Sequence, residues 1–306
     1  MKASALLRTL SSFCFPASLS PALVTPLPIQ SSFDQWLSSE LDVLRCGSQQ
    51  PKSYTSACWM LNALDISLST QTMTIQFLAN LFCHEEDRKV IEDYIEDIVE
   101  LLDACNRIRE RMETIKNYIE SLRIVLHCFQ GRTEPTESVL ARARVILDSC
   151  ESMETRYHQE QGGTELDEVL SGSMAIALLV CGILGIALSF KSKRGLPATQ
   201  TRETSSWSTS LHELHKEVKE ELEKQRKSGD SVLTELRKTV VVTRKLRDLM
   251  KNKMQQSSEL RLNVEVLDRS CGELEEGIKP LEGRVNELYK HLISIRMVLL
   301  GILSKL

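Results

Sequence analysis

Between residues 91 and 129 the apolar side chains fall at Ile91, Ile95, Ile98, Leu102, Cys105, Ile108, Met112, Ile115, Ile119, Leu122, Leu126 and Phe129. Steps of three and four keep one face of an α-helix apolar, while Glu92, Asp93, Glu96, Arg107, Arg109 and Arg111 occupy the other. The spacing predicts one long amphipathic helix, ended by Gly131. Ahead of it, helical periodicity begins near Phe33, breaks at 47–53 and resumes in a mostly apolar segment, 56–82, with Trp59, Met60, Leu64, Ile75, Phe77 and Leu78. Behind it, Thr133 and Pro135 suit the cap and first turn of a helix whose apolar face is Val139, Leu140, Ala143, Ile146, Leu147 and Cys150. Gly162–Gly163 ends that helix, and Thr164 and Asp167 suit the start of the next.

That next segment has a different pattern. Val169–Phe190 is 22 residues without a charge; 16 are apolar and the others are Gly or Ser. As a helix it spans about 33 Å, enough for a hydrocarbon core of about 30 Å. Within it Ser173, Ala177, Cys181, Gly185 and Ser189 recur every fourth residue and form a small-residue ridge that lets another helix approach, in lipid or in a protein core. Glu165, Asp167 and Glu168 precede the run; Lys191, Lys193 and Arg194 follow it as candidate flanking anchors. Residues 1–168 hold 15 Lys and Arg against 25 Asp and Glu, and residues 191–306 hold 23 against 17. If the run spans a membrane, this bias leaves the C-terminal side in the cytoplasm. The alternative is a fully apolar helix at the centre of a bundle. A span separates the 85–130 and 281–302 helices by a bilayer; a core helix needs both packed around it.

Residues 191–206 have linker composition, with Gly195 and Pro197. Leu211, Leu214, Val218 and Leu222 form a short stripe that 228–230 breaks. A basic-faced helix is predicted over 231–269, with Leu233, Leu236, Val240, Met250, Met254, Leu260, Val264 and Leu267. After Gly277 and Pro280 a four–three pattern runs through Leu281, Val285, Leu288, Leu292, Ile295, Leu299 and Ile302, fitting a coiled coil or the seam of an intramolecular bundle. The expected fold is all-α: an elongated bundle of long amphipathic helices. The expected division is a leader (1–32), an N-terminal helical region (33–163), the apolar helix (164–190), the linker (191–206) and a C-terminal helical region (207–306).

Composition narrows the function. Aromatic residues are 5% of the chain and the net charge is −4, which gives no electrostatic footprint for nucleic acid. Nine cysteines stand singly, without a CxxC pair, and read as thiols in a reducing compartment. Residues 1–33 contain no acid, two basic residues, seven serines and four prolines, a composition shared by transit peptides and disordered leaders; plastid import and a cytoplasmic location are the alternatives to the membrane.

No catalytic constellation emerges. His212 and His215 lie one helical turn apart beside Glu213 and Glu217, but the chain reads HELH where a zinc helix needs HExxH. His84 beside Cys83, and His127 beside Cys128, diverge on a helix. No phosphate-binding glycine motif or nucleophile elbow is present. The expectation is a protein without enzymatic activity, cofactor or metal. Arg244, Lys245, Arg247, Lys251 and Lys253 fit either anionic head groups or a solvated helix face.

Two segments carry a resemblance. Cys58-Trp59-Met60-Leu61-Asn62-Ala63-Leu64 resembles the Trp-Met-x-x-Ala signature of the plant BYPASS-related family, and Glu100-Leu101-Leu102-Asp103-Ala104-Cys105-Asn106 resembles that family's Leu-Leu-Asp-x-Cys-Asn block. Phe33–Leu37 sits where the family has its first short helix. The similarity runs from about residue 33 to the C-terminus and is strongest over 55–130. The Ser- and Pro-rich leader and the short spacing between the two signatures depart from the family pattern. The resemblance implies a plant-specific helical protein with a membrane segment and no known enzymatic activity. It implies a role in root and shoot development, including restraint of a root-derived mobile signal that arrests shoot growth. Relatives linked to vesicle tethering imply the alternative of a soluble adaptor. Either way, the charged outer faces of the helices are where protein partners would bind.

Overall fold

The computed structural model describes residues 29–46, 53–79, 87–129, 137–154, 168–191, 195–196, 206–227, 231–251 and 257–305. Among them the chain forms eight α-helices and no strand: α1 (Ile29–Cys46), α2 (Ala57–Ala79), α3 (Arg88–Phe129), α4 (Glu137–Glu154), α5 (Glu168–Ala187), α6 (Ser206–Lys227), α7 (Thr234–Lys251) and α8 (Ser257–Leu303). The all-α expectation holds. The predicted ends near Gly131, Gly162–Gly163 and 228–230, the caps Thr133, Pro135 and Thr164, and most of the leader lie outside the described residues. α1 starts at Ile29, so its first turn takes in the last residues assigned to the leader.

α3 and α8 are the long members, 42 and 47 residues, and they pack side by side along an elongated molecule. Arg123 pairs with Glu275 at 3.2 Å, Lys116 with Glu282 at 2.9 Å, and Arg109 lies over the Tyr289 ring, so the two run antiparallel. Around one half of this pair stand α2 and α5; each touches both long helices or their neighbours, giving a four-helix arrangement in which α2 contacts α8 and α5, and α3 contacts α5 and α8. Around the other half α4 packs on α3, α7 packs on α8, and α4 meets α7. Two four-helix bundles therefore share α3 and α8 end to end. α1 and α6 pair with each other and cover the outer side of α2 and α5.

The heptad pattern of α8 is an intramolecular seam. Leu281, Val285, Leu288, Leu292, Ile295 and Leu299 are all fully buried. The break in this region differs from the one expected. Instead of a helix over 231–269 and a stop at Gly277–Pro280, α7 ends at Lys251 and α8 runs unbroken through Gly277 and Pro280. Pro280 is tolerated because it lies on the exposed side, where water can solvate the carbonyl that loses its amide donor. Gly277 is there for proximity: a Cβ at this position would stand 2.8 Å from the Ala57 Cβ. Bare backbone lets α8 pass the first turn of α2.

Two expectations about α3 also change. Tyr94, Leu101 and Tyr118 are fully buried, whereas Ile95 and Leu102 sit at the margin of the stripe. Arg111, assigned to the polar face, is 7% exposed.

Candidate functional site

The apolar run is the most distinctive stretch of sequence, and its surroundings define the candidate site. α5 begins at Glu168 and ends at Ala187, three residues short of Phe190. By length and composition Leu170–Ala187 is able to cross a membrane; in the fold it is largely buried between α2, α3 and α6. Leu178 is its one exposed large apolar side chain among the described residues.

The small-residue ridge faces the neighbouring helices. Ser173 is fully buried and its carbonyl accepts a hydrogen bond from Gln71 Nε2 at 3.2 Å. The Tyr94 hydroxyl lies beside the Ser173 side chain, and burial raises its pKa above the usual phenol value. Ala177, Cys181 and Gly185 are buried; at Gly185 the backbone oxygen accepts from the Arg111 guanidinium. Ser189 lies past the helix end, a correction to the expected ridge, and its Oγ donates to the Gly185 carbonyl at 2.9 Å. Of the expected flanking anchors, Lys191 is half-buried, and Lys193 and Arg194 lie outside the described residues.

Where α5 ends, the first bundle passes into the second. Phe190 meets Tyr118 edge to face, ring centroids 5.0 Å apart. Ser231 Oγ donates to the Ser189 carbonyl at 3.2 Å, the Leu233 amide to the Ala187 carbonyl at 3.4 Å, and the Thr234 amide to the Thr55 carbonyl at 2.8 Å. The segment leading into α7 is thereby tied to the end of α5 and to the start of α2.

Four helix ends are satisfied by side chains of other helices. The Glu235 carboxylate accepts from the Ala57 amide at 3.2 Å and caps α2. Asp34 accepts from the Trp207 amide at 2.9 Å and from Ser206 Oγ at 2.9 Å, capping α6. Arg111 serves the C-terminal end of α5, and Arg144 donates to the Met250 carbonyl at the end of α7. Acids sit at N-termini and guanidinium groups at C-termini, as unsatisfied end groups and the helix macrodipole require. These residues were not legible as caps, because each is remote in sequence from the helix it serves.

The other candidate residues do not converge. His215 is buried while His212 is exposed, so they do not share a site. His127 is exposed beside the half-buried Cys128, and His84 and Cys83 lie outside the described residues. Among the described residues no group of three or more His, Cys, Asp or Glu is arranged for a metal ion. The basic cluster on α7 is partly engaged within the molecule: Arg247 pairs with Glu151 at 2.9 Å, Lys245 with Glu259 at 3.4 Å and Lys251 with Asp148 at 3.7 Å. Lys253 is outside the described residues. A crevice between α1, α2, α5 and α6, lined by Leu41, Trp59, Ile176, Leu179, Ile183 and Leu214, has about 10 Å³ of free space, too little for more than a water. On α3, Asp97 is half-buried; burial, reinforced by Glu100, Asp93 and Glu96, raises its pKa to about 6.

Compared with known proteins, the chain matches no curated protein and no solved structure. A family model described as Protein BPS1 matches residues 67–302, from within α2 almost to the end of α8. The Glu100–Asn106 block lies inside this span; the Phe33–Leu37 and Cys58–Leu64 segments precede it. With more than half its length matched, the chain belongs to the BPS1 (BYPASS1) family, the BYPASS-related family of plants.

Proposed function

We propose that this is a non-enzymatic plant developmental protein that acts through protein contacts on the outside of a helical rod, with α5 as the core helix of that rod. Membership of the BPS1 family supports the developmental part. The more specific role it points to is restraint of a root-derived mobile growth signal. The observation that carries the core-helix part is the pairing of α3 with α8 through Lys116–Glu282 and Arg123–Glu275. A bilayer crossed by α5 would hold those helices apart. Their antiparallel packing, with α5 seated on α2 and α3, supports a chain that needs no membrane to bury its apolar run.

A second reading, membrane association with the C-terminal side in the cytoplasm, is favoured by the uncharged run itself. Alkaline carbonate extraction of membranes from cells expressing the full chain separates the two. A core helix leaves the protein in the supernatant, and Leu179→Arg with Ile183→Arg, both positions nearly fully buried, then abolishes folding. Wild type retained in the pellet, with a folded double variant released from it, overturns the core-helix reading.

A further inference from the structure

α8 carries two apolar stripes, and the bundle covers only one. Ile293, Met297 and Leu300, spaced four and three apart on the outer side, remain 40%, 66% and 42% exposed. After Glu287 the chain contains no further acid, and the stripe is bordered by Lys290, Arg296 and Lys305. Beside it, the outer side of α3 has the opposite character: Glu92, Glu96, Asp103 and Glu110 are exposed around Val99, itself 40% exposed.

The register between the two helices sets which of these groups stand level. Arg109 with Tyr289, Lys116 with Glu282, and Arg123 with Glu275 all join residues whose numbers sum to 398. By the same rule Val99 is level with Leu299 and Leu300, Asp103 with Ile295 and Arg296, and Glu110 is within one turn of Lys290. On α3 the positions that touch α8 recur every seventh residue, a line that continues through Leu102, and Val99 and Asp103 both lie on the same side of it, away from the buried Ile98, Leu101 and Cys105. On α8 the corresponding line runs through Glu282 and Tyr289 to Arg296, and Ile293 and Leu300 both lie on the side of it away from the buried Leu292, Ile295 and Leu299. All of these residues therefore share one edge of the molecule, the outer side of the α3–α8 pair.

We propose that this edge is the interface of a homodimer, with the two-fold axis parallel to the long axis of the molecule. Such an axis sets α8 of each copy against α3 of the other, antiparallel and at the same height. An isologous interface requires a surface complementary to itself, and this edge is one. Arg296 meets Asp103 of the second copy, Lys290 meets its Glu110, and Lys305 meets its Glu92 and Glu96. Ile293, Met297, Leu300 and Val99 form the apolar centre inside that charged border. From Lys279 to Ser304 the edge is about 37 Å long, and two helices give it a width of about 20 Å, roughly 740 Å² per copy. A standard stable interface buries about 800 Å² per partner. The acidic side of the edge opposes an anionic membrane, which leaves a second copy as the better occupant.

The inference goes beyond the developmental reading and rests on the core-helix one, since it needs α3 and α8 on one side of any membrane. The test is light scattering and sedimentation of the full chain, detergent-free, with the variants Arg296→Glu and Asp103→Lys. Each places like charges across both halves of the two-fold interface, and each is expected to weaken the wild-type dimer at least about tenfold. Mixing the two variants pairs Glu with Lys and Asp with Arg, so the mixture is expected to recover a dimer, which contacts within one chain would not produce. Met297→Asp, at the most exposed position of the stripe, also yields monomer, and neither charge variant rescues it. Unchanged helical circular dichroism separates loss of association from misfolding. A monomeric wild type that is soluble without detergent overturns the dimer and leaves the core helix standing, as does a dimer indifferent to these variants. A mixture that stays monomeric, or a wild-type monomer captured by anionic vesicles, also overturns the dimer. A chain held in carbonate-washed membranes overturns both inferences.

Discussion

Helix α8 contains its own controlled experiment on why glycine stands where it does. An added Cβ meets nothing within 4 Å at Gly272, Gly283 or Gly301, but at Gly277 it stands 2.8 Å from the Ala57 Cβ. In open space, Gly→Ala within a helix stabilises by about 0.5–1 kcal/mol, because the unfolded chain loses freedom and helix propensity rises. Gly272→Ala and Gly283→Ala are each expected to gain that amount; Gly301→Ala, close to the end of the helix, gains less. At Gly277 the same gain is opposed by overpacking. Restoring an ordinary 3.4 Å separation means parting α2 from α8 by 0.6 Å. That movement works against the Ala57–Glu235 cap at 3.2 Å and the Asp65–Arg284 ion pair at 2.8 Å. Overpacking in a well-packed interface costs about 1–3 kcal/mol, so the expected net effect of Gly277→Ala is a loss of about 1 kcal/mol. For a chain of this size the melting temperature then falls by about 2–4 °C, while Gly272→Ala and Gly283→Ala raise it. Thermal and urea unfolding followed by far-UV circular dichroism are sufficient to measure this. Ala57→Gly in the Gly277→Ala background removes the opposing atom, so the pair should be strongly non-additive. If Gly277→Ala stabilises like its neighbours and shows no coupling to Ala57→Gly, the close-approach account of this glycine is refuted.

Two further outcomes follow from the buried and half-buried charges. Arg111→Ala should destabilise by about 3 kcal/mol, from loss of a charge-assisted hydrogen bond at the end of α5 and of its buried stem; Arg111→Met, which keeps most of the packing, should lose about 2 kcal/mol, measured by urea unfolding. Asp97 has its folded pKa raised to about 6, above the unfolded value, so the native state binds the extra proton and its penalty grows as pH rises through that range. Asp97→Asn should therefore stabilise by about 1 kcal/mol at pH 8, after allowance for solvent screening, with the gain gone by pH 4. A stability difference that stays flat over that range would show that Asp97 titrates normally.

The sequence pattern was most informative where a helix has one wet face. The stripes on α3, α6 and the last part of α8 locate those helices, because burial on one side is a local property of the residue order. It was misleading where a residue serves a distant neighbour. Gly277 and Pro280 have the composition of a stop, yet one permits a close approach to Ala57 and the other points to solvent. Arg111 reads as a surface charge until Gly185, 74 residues further on, is brought against it. The ridge from Ser173 to Gly185 announced a close helix contact without naming Gln71, Tyr94 and Arg111 as its counterparts. The heptads of α8 fit a coiled coil as well as an internal seam, the seam being the commoner arrangement for so short a run; the burial of Leu281, Val285, Leu288, Leu292, Ile295 and Leu299 against α2 and α3 identifies the seam.

Chain order and spatial order are interleaved in the shared pair α3–α8. The first bundle draws on α2, the front of α3, α5 and the back of α8; the second draws on the rest of α3, α4, α7 and the front of α8. No cut in the chain releases either bundle whole. A premature stop anywhere before α8 removes a wall from both, and a shortened transcript supplies no free-standing half. Genetic truncation of this protein is accordingly all or none: alleles that end at residue 150 or at residue 250 should be equally null, in contrast to a protein whose domains follow one another along the chain.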